Sequence, residues 1–406
     1  MCQYFRIFVA LFQVLVMAFF YWTLTALAII IDMVVVMALR KRNARVGMWA
    51  YGVFAFVCDI ATRIVPYINP IGERAPLIPV FCGYLFLLTA CTKVIIATGW
   101  MLGRRRPTRR RAWMRRSLIL AALFLTMMIA GTIYPTRNLH VEHVECSFDN
   151  LPEAFDGVRI GFFTDVHIGC LTSSDKLLNS VVDSLNSAEC LFAVNGGDIV
   201  NIRNSELTPH KRSILARLRM PVYSVMGNHD LGYYRRDTLE YSVAQSTADL
   251  KAIIDTMGWM RLDNDSRWIH YGGDSIVITG IEFNRKAADD RHKRDVGGVN
   301  IDSLMNTIPE GSFNIAVSHI PQYWHRIAAS EAGDLTLSGH THAMQCVITV
   351  RGHRFSPASL LYDEWGGRYD KGDKILYISE GVGFAGIPIR IGTPPQIAII
   401  TLRRCE

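Results

Sequence analysis

Hydrophobic and polar positions divide the chain into two regions of different periodicity. Before residue 135 the apolar runs reach the length of about 20 residues that a helix needs to cross a bilayer. They recur at residues 8–39, 46–67, 77–102 and 117–134. From Pro135 onward the pattern changes to short β-like runs separated by polar, turn-rich segments. VRIGFF (158–163), CLFAV (190–194) and PVYSV (221–225) alternate with helical stretches near residues 175–187 and 209–218, which is the order of an α/β unit. Later strand candidates are SIVITGI (275–281), FNIAVS (313–318), DLTLS (334–338), QCVITV (345–350), KILYIS (374–379) and QIAIITL (396–402). They outnumber the later helices, so a second sheet packed on the first is predicted. The expected organisation is an N-terminal four-helix transmembrane region, residues 1–134, followed by an α/β domain, residues 135–406.

Charge changes at the same boundary. Residues 1–134 hold 16 Lys and Arg against 3 Asp and Glu, whereas residues 135–406 hold 27 against 33, so the net charge of +7 conceals two opposite regions. The excess basic charge falls in short runs between apolar segments, which reports membrane topology and argues against a nucleic-acid partner. Arg40, Lys41, Arg42 and Arg45 follow the first span, and eight arginines lie between Arg104 and Arg116 after the third. Cationic loops resist translocation, so both are expected in the cytoplasm, and the fourth span then delivers residues 135–406 to the outer, periplasmic or extracytoplasmic, face of the cytoplasmic membrane. Charges within spans are costly in hydrocarbon, so Asp59, Arg63 and Lys93 are expected to be paired or turned toward other helices. The nine cysteines form no paired C-x-x-C zinc pattern. Cys170 and Cys346 each lie a few residues past a ligand motif and are the candidate disulfide pair, with free buried thiols as the alternative.

In the second region every group of candidate ligands sits just after an apolar strand. Asp165 and His167 follow VRIGFF, Asp198 follows CLFAV through Gly196 and Gly197, and Asn228, His229 and Asp230 follow PVYSV through Gly227. His319 follows FNIAV and Ser318, and His340 and His342 follow DLTLS through Gly339. Strand ends of an α/β sheet converge on one rim. A lone Asp-x-His or a lone buried His is weak as a signal; five groups obeying one position rule are not. Oxygen and imidazole donors without thiolates suit Mn, Fe or Zn in a hydrolytic site, where a shared carboxylate can bridge two ions. Gly197, Gly227 and Gly339 each precede a ligand at a sharp strand exit, where a side chain would crowd the site.

These five blocks, in this order, resemble the calcineurin-like metallophosphoesterases over roughly residues 159–342. The tail ISEGVGFAGIPIRIGTPPQIAIITL (378–402) is similar to the end of a membrane-associated bacterial branch that includes enzymes like UDP-2,3-diacylglucosamine pyrophosphatase and other envelope phosphodiesterases. The resemblance implies a four-layer α/β/β/α sandwich and two divalent metal ions, Mn first with Fe or Zn as alternatives. By matching position it implies Asp165, His167 and His342 on one ion, Asn228, His319 and His340 on the other, and Asp198 bridging. It further implies that His229 faces the scissile phosphate and that Asp230 orients its ring. Two departures touch the surroundings of the ligands: Gly196 stands where the family has Thr and Asn201 where it has a second Asp, and Ala343 and Met344 replace small glycines.

The expected activity is metal-dependent hydrolysis of a phosphomonoester, phosphodiester or pyrophosphate by a hydroxide that two metal ions activate. The anchor favours a lipid-linked or cell-envelope substrate. Arg203, Arg235, Arg236, Arg354 and Arg390 are candidates to meet a second phosphate, since guanidinium pairs bidentately with phosphate oxygens. The stretch 351–374, with Tyr362, Trp365 and Tyr369, reads as a loop over the pocket or as plain surface. The competing readings are a catalytically silent metal-binding scaffold and the regulatory outer domain of a membrane sensor or transporter; the first would lack ligands, and none is missing. Oligomeric state is left open.

Overall fold

The computed structural model describes residues 28–37, 49, 53, 77–133, 138–171, 175–232, 242–284 and 300–405. The expected span at 46–67, apart from Trp49 and Val53, and most of that at 8–39 lie outside these residues, as do Asp59, Arg63, Arg235 and Arg236. The chain divides near Gly131 into a helical unit and a sheet-containing unit.

The helical unit contains α1 (Ala28–Met37), α2 (Leu77–Arg105) and α3 (Arg110–Ile133). Among the described residues two helices, α2 and α3, are long and apolar enough to cross a membrane, against the four spans expected from hydropathy. Leu118, Leu120, Leu123, Met127 and Ile129 of α3 are exposed, the apolar outer face that a lipid solvent accepts and water does not. Lys93 on α2 finds its partner in Asp32 on α1, with Nζ 2.7 Å from Oδ2. A charge in hydrocarbon is tolerated when it is paired in this way.

In the second unit two six-stranded sheets pack face to face. The first has the order β1 (His140–Phe148), β14 (Gln396–Arg404), β2 (Arg159–Phe163), β3 (Phe192–Asn195), β4 (Val222–Ser224) and β5 (Met260–Arg261). The second has the order β12 (Gly367–Lys371), β13 (Lys374–Ile378), β9 (Leu335–Ser338), β8 (Asn314–Ser318), β7 (Asp274–Ile281) and β6 (Asp265–Tyr271). β2 through β5 are mutually parallel, as are β13, β9, β8 and β7.

The period-2 alternation of a strand sorts each side chain to one face. Ile160 and Phe162 of β2, Phe192 and Val194 of β3, and Ala398, Ile400 and Leu402 of β14 enter the core between the sheets, where they meet Ile276, Ile278, Ile315, Val317, Leu335 and Leu337. Phe163, Ala193, Ile397 and Ile399 face the other way, against α4 (Lys176–Ser187), α5 (Pro209–Leu215) and α6 (Val243–Thr256). The outer face of the second sheet is covered by α7 (Ile301–Met305) and α8 (Trp324–Ile327), through Ile301, Met305 and Ile327 against Val277, Ile281 and Ala316. The layering is α/β/β/α. One expected strand belongs to neither sheet: β10 (Ile348–Val350) pairs with β11 (His353–Phe355) as a separate hairpin. Cys170 is buried and Cys346 half-buried, and both are free thiols, the alternative to the candidate disulfide.

Candidate metal centre

Parallel strands in both sheets end at a common rim, and the loops that leave them interlock through backbone hydrogen bonds. Asp165 N donates to Gly197 O at 2.9 Å, His167 N to Asp198 O at 3.0 Å and Ile168 N to Ile199 O at 2.8 Å, so the exits of β2 and β3 run as a pair. Gly339 N donates to His319 O at 3.0 Å, which joins the exits of β9 and β8. The two sheets are then tied together at the site, because His340 N donates to Asp165 Oδ2 at 3.0 Å. The tail closes the rim, with Gly383 N donating to Asp165 O at 2.7 Å.

Holding the ligands there strains the backbone. Asp165, His167, Asp198, His340 and His342 all have positive φ, between 42° and 69°. The left-handed region costs an ordinary L-residue roughly 1–2 kcal/mol. Strain of this kind persists where surrounding structure enforces it, and it gathers at functional sites. Crowding explains the preceding glycine: a Cβ on Gly339 would lie 2.2 Å from Asp165 Oδ2.

Three overlapping sets of side chains place one donor atom each within 4.8 Å of the others: Asp165, His167 and His342; His167, Asp198 and His229; and Asp198, His319 and His340. His167 Nε2 lies 3.0 Å from His342 Nε2, and His342 Nε2 lies 3.3 Å from Asp165 Oδ1. On the other side, Asn228 Oδ1 is 2.9 Å from both His319 Nε2 and His340 Nδ1, and His319 Nε2 is 3.2 Å from Asp198 Oδ2. Asp198 therefore lies between two groups of donors. Its Oδ1 accepts from His229 N at 2.9 Å, which fixes the carboxylate.

The electrostatics of the centre follow from burial without solvent. Burial pushes the Asp165 carboxyl up to about 6 despite the opposing pull of His319. Burial holds the His167 and His342 rings well below their ordinary value, so both are neutral and carry lone pairs. Burial alone would raise Asp198 as well, but His319, His229 and His167 around it bring it well below the ordinary carboxylate range. The fit to a cation is direct: two carboxylates, an amide oxygen and several imidazoles converge, and the buried His167 Nδ1 has no hydrogen-bond partner. Oxygen and imidazole donors of this kind suit borderline divalent ions.

One expected role is corrected. Asp230 does not orient the His229 ring: its Oδ2 accepts from Gly227 N at 3.0 Å and its Oδ1 from Val200 N at 3.1 Å, so it braces the loops that carry Asn228 and Asp198. The His229 ring is held instead through Nδ1 by the Asn201 carbonyl, so the residue standing at the family's second Asp position serves through its backbone. Arg390, one of the candidate phosphate partners, is committed to the tail. Its buried guanidinium donates to the carbonyls of Glu380 at 2.9 Å, Gly381 at 3.0 Å and Gly383, and it lies 3.4 Å from His342 Nδ1, which shapes the tail against the site. Arg354 pairs with Glu380 and lies over the Trp365 ring at 5.3 Å, and Arg203 is buried. The stretch 351–374 carries β11 and β12 instead of a single loop, and it brings Tyr362 Oη to 3.4 Å from His340 Nε2.

Two contributors escaped the sequence reading. Thr164 donates from Oγ1 to Asp165 Oδ2 at 2.8 Å. Glu206 accepts from the backbone N–H groups of Asn201 at 2.6 Å, Ile202 at 2.9 Å and Arg203 at 3.2 Å, and so holds the segment whose carbonyl holds His229. The Thr beside the first Asp was legible in principle; Glu206, in a polar run, carries no signal apart from its distance to Asp198.

Sandwiched sheets with Asp, Asn and His donors gathered on one rim are the arrangement that the resemblance to metallophosphoesterases implies. Residues 158–344 match the calcineurin-like phosphoesterases, and the chain carries a domain of that family. It is similar to the Bacillus subtilis metallophosphoesterase YkuE, 25% identical over 264 residues that cover 62% of this chain and 82% of YkuE. A Helicobacter pylori metallophosphoesterase is 28% identical over 60% of each chain. A zebrafish (Danio rerio) transmembrane protein with a metallophosphoesterase domain is 26% identical over 70% of this chain and 62% of its own length. The chain thus spans about three fifths of the last two relatives. The family and the clustered donors indicate divalent-metal binding and phosphoester hydrolysis, and the two apolar helices and the transmembrane relatives indicate membrane association.

Proposed function

We propose that the chain is a dinuclear-metal phosphoesterase acting on a lipid-linked or cell-envelope phosphate ester or pyrophosphate, with its site on the outer side of the cytoplasmic membrane. The observation that carries the reading is the position of Asp198 between the donor group Asp165, His167 and His342 and the donor group Asn228, His319 and His340. The first group would hold one ion and the second the other, with Asp198 shared. Mn leads among the candidate ions, with Fe and Zn as alternatives, because the donors include no thiolate.

When bound, two such ions acidify a water and offset the charge that builds on phosphoryl oxygens. The protein's part is positional. Thr164 and His340 N hold Asp165, His229 N holds Asp198, and Gly196 O fixes His319 through Nδ1 at 2.9 Å. His229 Nδ1 is committed to the Asn201 carbonyl, so a proton passed to a leaving oxygen would travel on Nε2. Burial lowers the pKa of His229, so the resting ring is neutral and Nε2 would first have to accept a proton before passing one to the leaving oxygen. A water-excluded rim strengthens each of these electrostatic contacts.

The test is hydrolysis by the purified full chain with Mn²⁺ across monoesters, diesters and pyrophosphates, in lipid and soluble forms, beside Asp198→Asn. Metal-dependent turnover of at least one class, abolished in Asp198→Asn, is expected. Bound metal with no turnover of any class would overturn the enzyme reading.

A further inference from the structure

The hairpin β10–β11 has its amphipathicity inverted. Its strands pair Ile348 with Phe355, Thr349 with Arg354 and Val350 with His353 around a two-residue turn, Arg351-Gly352, in which both residues have positive φ. Register in such a pair is set by turn type, so the facing of each side chain is fixed. Arg354 is directed to the domain, where it pairs with Glu380 and lies over Trp365. Its non-polar neighbours by alternation are exposed: Ile348 is 57% exposed, Val350 52% and Phe355 58%. Leu360, at the end of the 3-10 turn Pro357–Leu360, is 75% exposed, and Met344, two residues beyond His342, is exposed as well. A strand pair on a water-facing surface shows the opposite arrangement, with apolar residues inward. Contiguous exposed apolar side chains on a folded domain mark a binding surface.

Charge identifies the occupant. Residues 340–362 contain no Asp or Glu, while the tip carries Arg351 and His353, Arg354 being paired with Glu380. Apolar side chains that project beside a cationic turn match the two layers of a membrane interface, acyl chains below and anionic headgroups above. We propose that this hairpin inserts into the headgroup region of an anionic bilayer, with Ile348, Val350, Phe355 and Leu360 entering the acyl boundary and Arg351 meeting lipid phosphates. The hairpin is coupled to the metal centre, because Ser356 Oγ donates to Ala343 O at 2.6 Å and the turn His342–Gln345 leads directly into it. Insertion would therefore set the rim of the centre at the depth of lipid headgroups. The inference stands on surface chemistry and holds whether or not the centre hydrolyses anything.

The test places the photocrosslinking residue p-benzoylphenylalanine at position 355 of the full chain, reconstituted in vesicles of phosphatidylcholine and phosphatidylglycerol. Position 268, where Trp268 is also an exposed aromatic, serves as the reference. After irradiation the adduct mass separates a lipid from a second protein chain. Lipid adducts at 355 in several-fold excess over 268 are expected, falling in vesicles of phosphatidylcholine alone and with Arg351→Glu. Adducts to a second copy of the chain at 355, or lipid adducts no more frequent at 355 than at 268, would overturn the proposal. Unchanged circular-dichroism melting in both labelled proteins confirms that the fold is intact.

Discussion

A single methyl group at Gly227 should disable the centre without unfolding the protein. A Cβ built there lies 2.1 Å from Asp198 Oδ1, 2.6 Å from Asp198 N and 2.7 Å from Asp198 Cγ. An ordinary carbon–oxygen contact is about 3.3 Å or longer, so the carboxylate must retreat by about 1 Å. Rotation of the side chain cannot supply the whole displacement, because the backbone N of Asp198 is also in the way. Retreat breaks the bond from His229 N to Asp198 Oδ1. Overpacking of this kind costs about 1–3 kcal/mol of stability, and a misplacement near 1 Å at a reacting centre costs on the order of 10²-fold in rate. Gly258→Ala is the matched control, since Gly258 has φ +77° with nothing within 4 Å of a Cβ. There the left-handed conformation alone costs roughly 1–2 kcal/mol. Urea denaturation and kcat/KM for Mn²⁺-dependent hydrolysis of bis(p-nitrophenyl) phosphate would be measured on both. Comparable losses of stability are expected, with activity lost only in Gly227→Ala. Wild-type kcat/KM in Gly227→Ala would refute the reasoning.

Two further outcomes follow from groups outside the ligand set. Buried Asp334 accepts from Asn314 N at 2.8 Å, Asn150 Nδ2 at 3.0 Å and Lys374 Nζ at 3.0 Å, so Asp334→Ala leaves buried donors unpaired and should cost about 3–5 kcal/mol in urea denaturation, with turnover per folded molecule unchanged. Burial raises Glu206 from 4.5 to about 7 against the pull of three backbone N–H groups. The folded state then holds this proton more tightly than the unfolded state, so stability is fully present below the unfolded pKa and is lost as pH rises through the folded one. The loss between pH 5 and 8 is about 2–3 kcal/mol. Glu206→Gln, which cannot ionise, should lack this component of the pH dependence, and equal pH slopes in the two proteins would count against it.

The site was legible because its chemistry sits at the ends of apolar strands. β2, β3, β8 and β9 are buried on both faces, so they read as continuous apolar runs, and the polar residue that ends each run stands out. β1 and β6 were not seen, since edge strands with exposed faces, such as HVEHVECSF, carry mixed polarity and follow no simple period. β5 is two residues long and lies beneath any pattern. What sequence could not supply was convergence from a distance: Gly383 donating to Asp165, Arg390 gathering tail carbonyls, and Asp32 meeting Lys93 across 61 positions. The hydrogen bonds of Asp230 and Arg390 have one origin. Both are buried beside backbone groups that need partners, and a buried N–H or C=O claims a charged side chain before a distant ligand does.

The central claim is that Asp198 is shared by two ions. Metal content would be measured after dialysis of chelator-treated wild type and Asp198→Asn against limiting Mn²⁺, with phosphodiester hydrolysis followed on the same samples. Two ions per wild-type chain, with binding and hydrolysis falling together in Asp198→Asn, are predicted. Hydrolysis by a wild type that holds no metal, or an Asp198→Asn protein that binds two ions and turns over normally, would contradict the account.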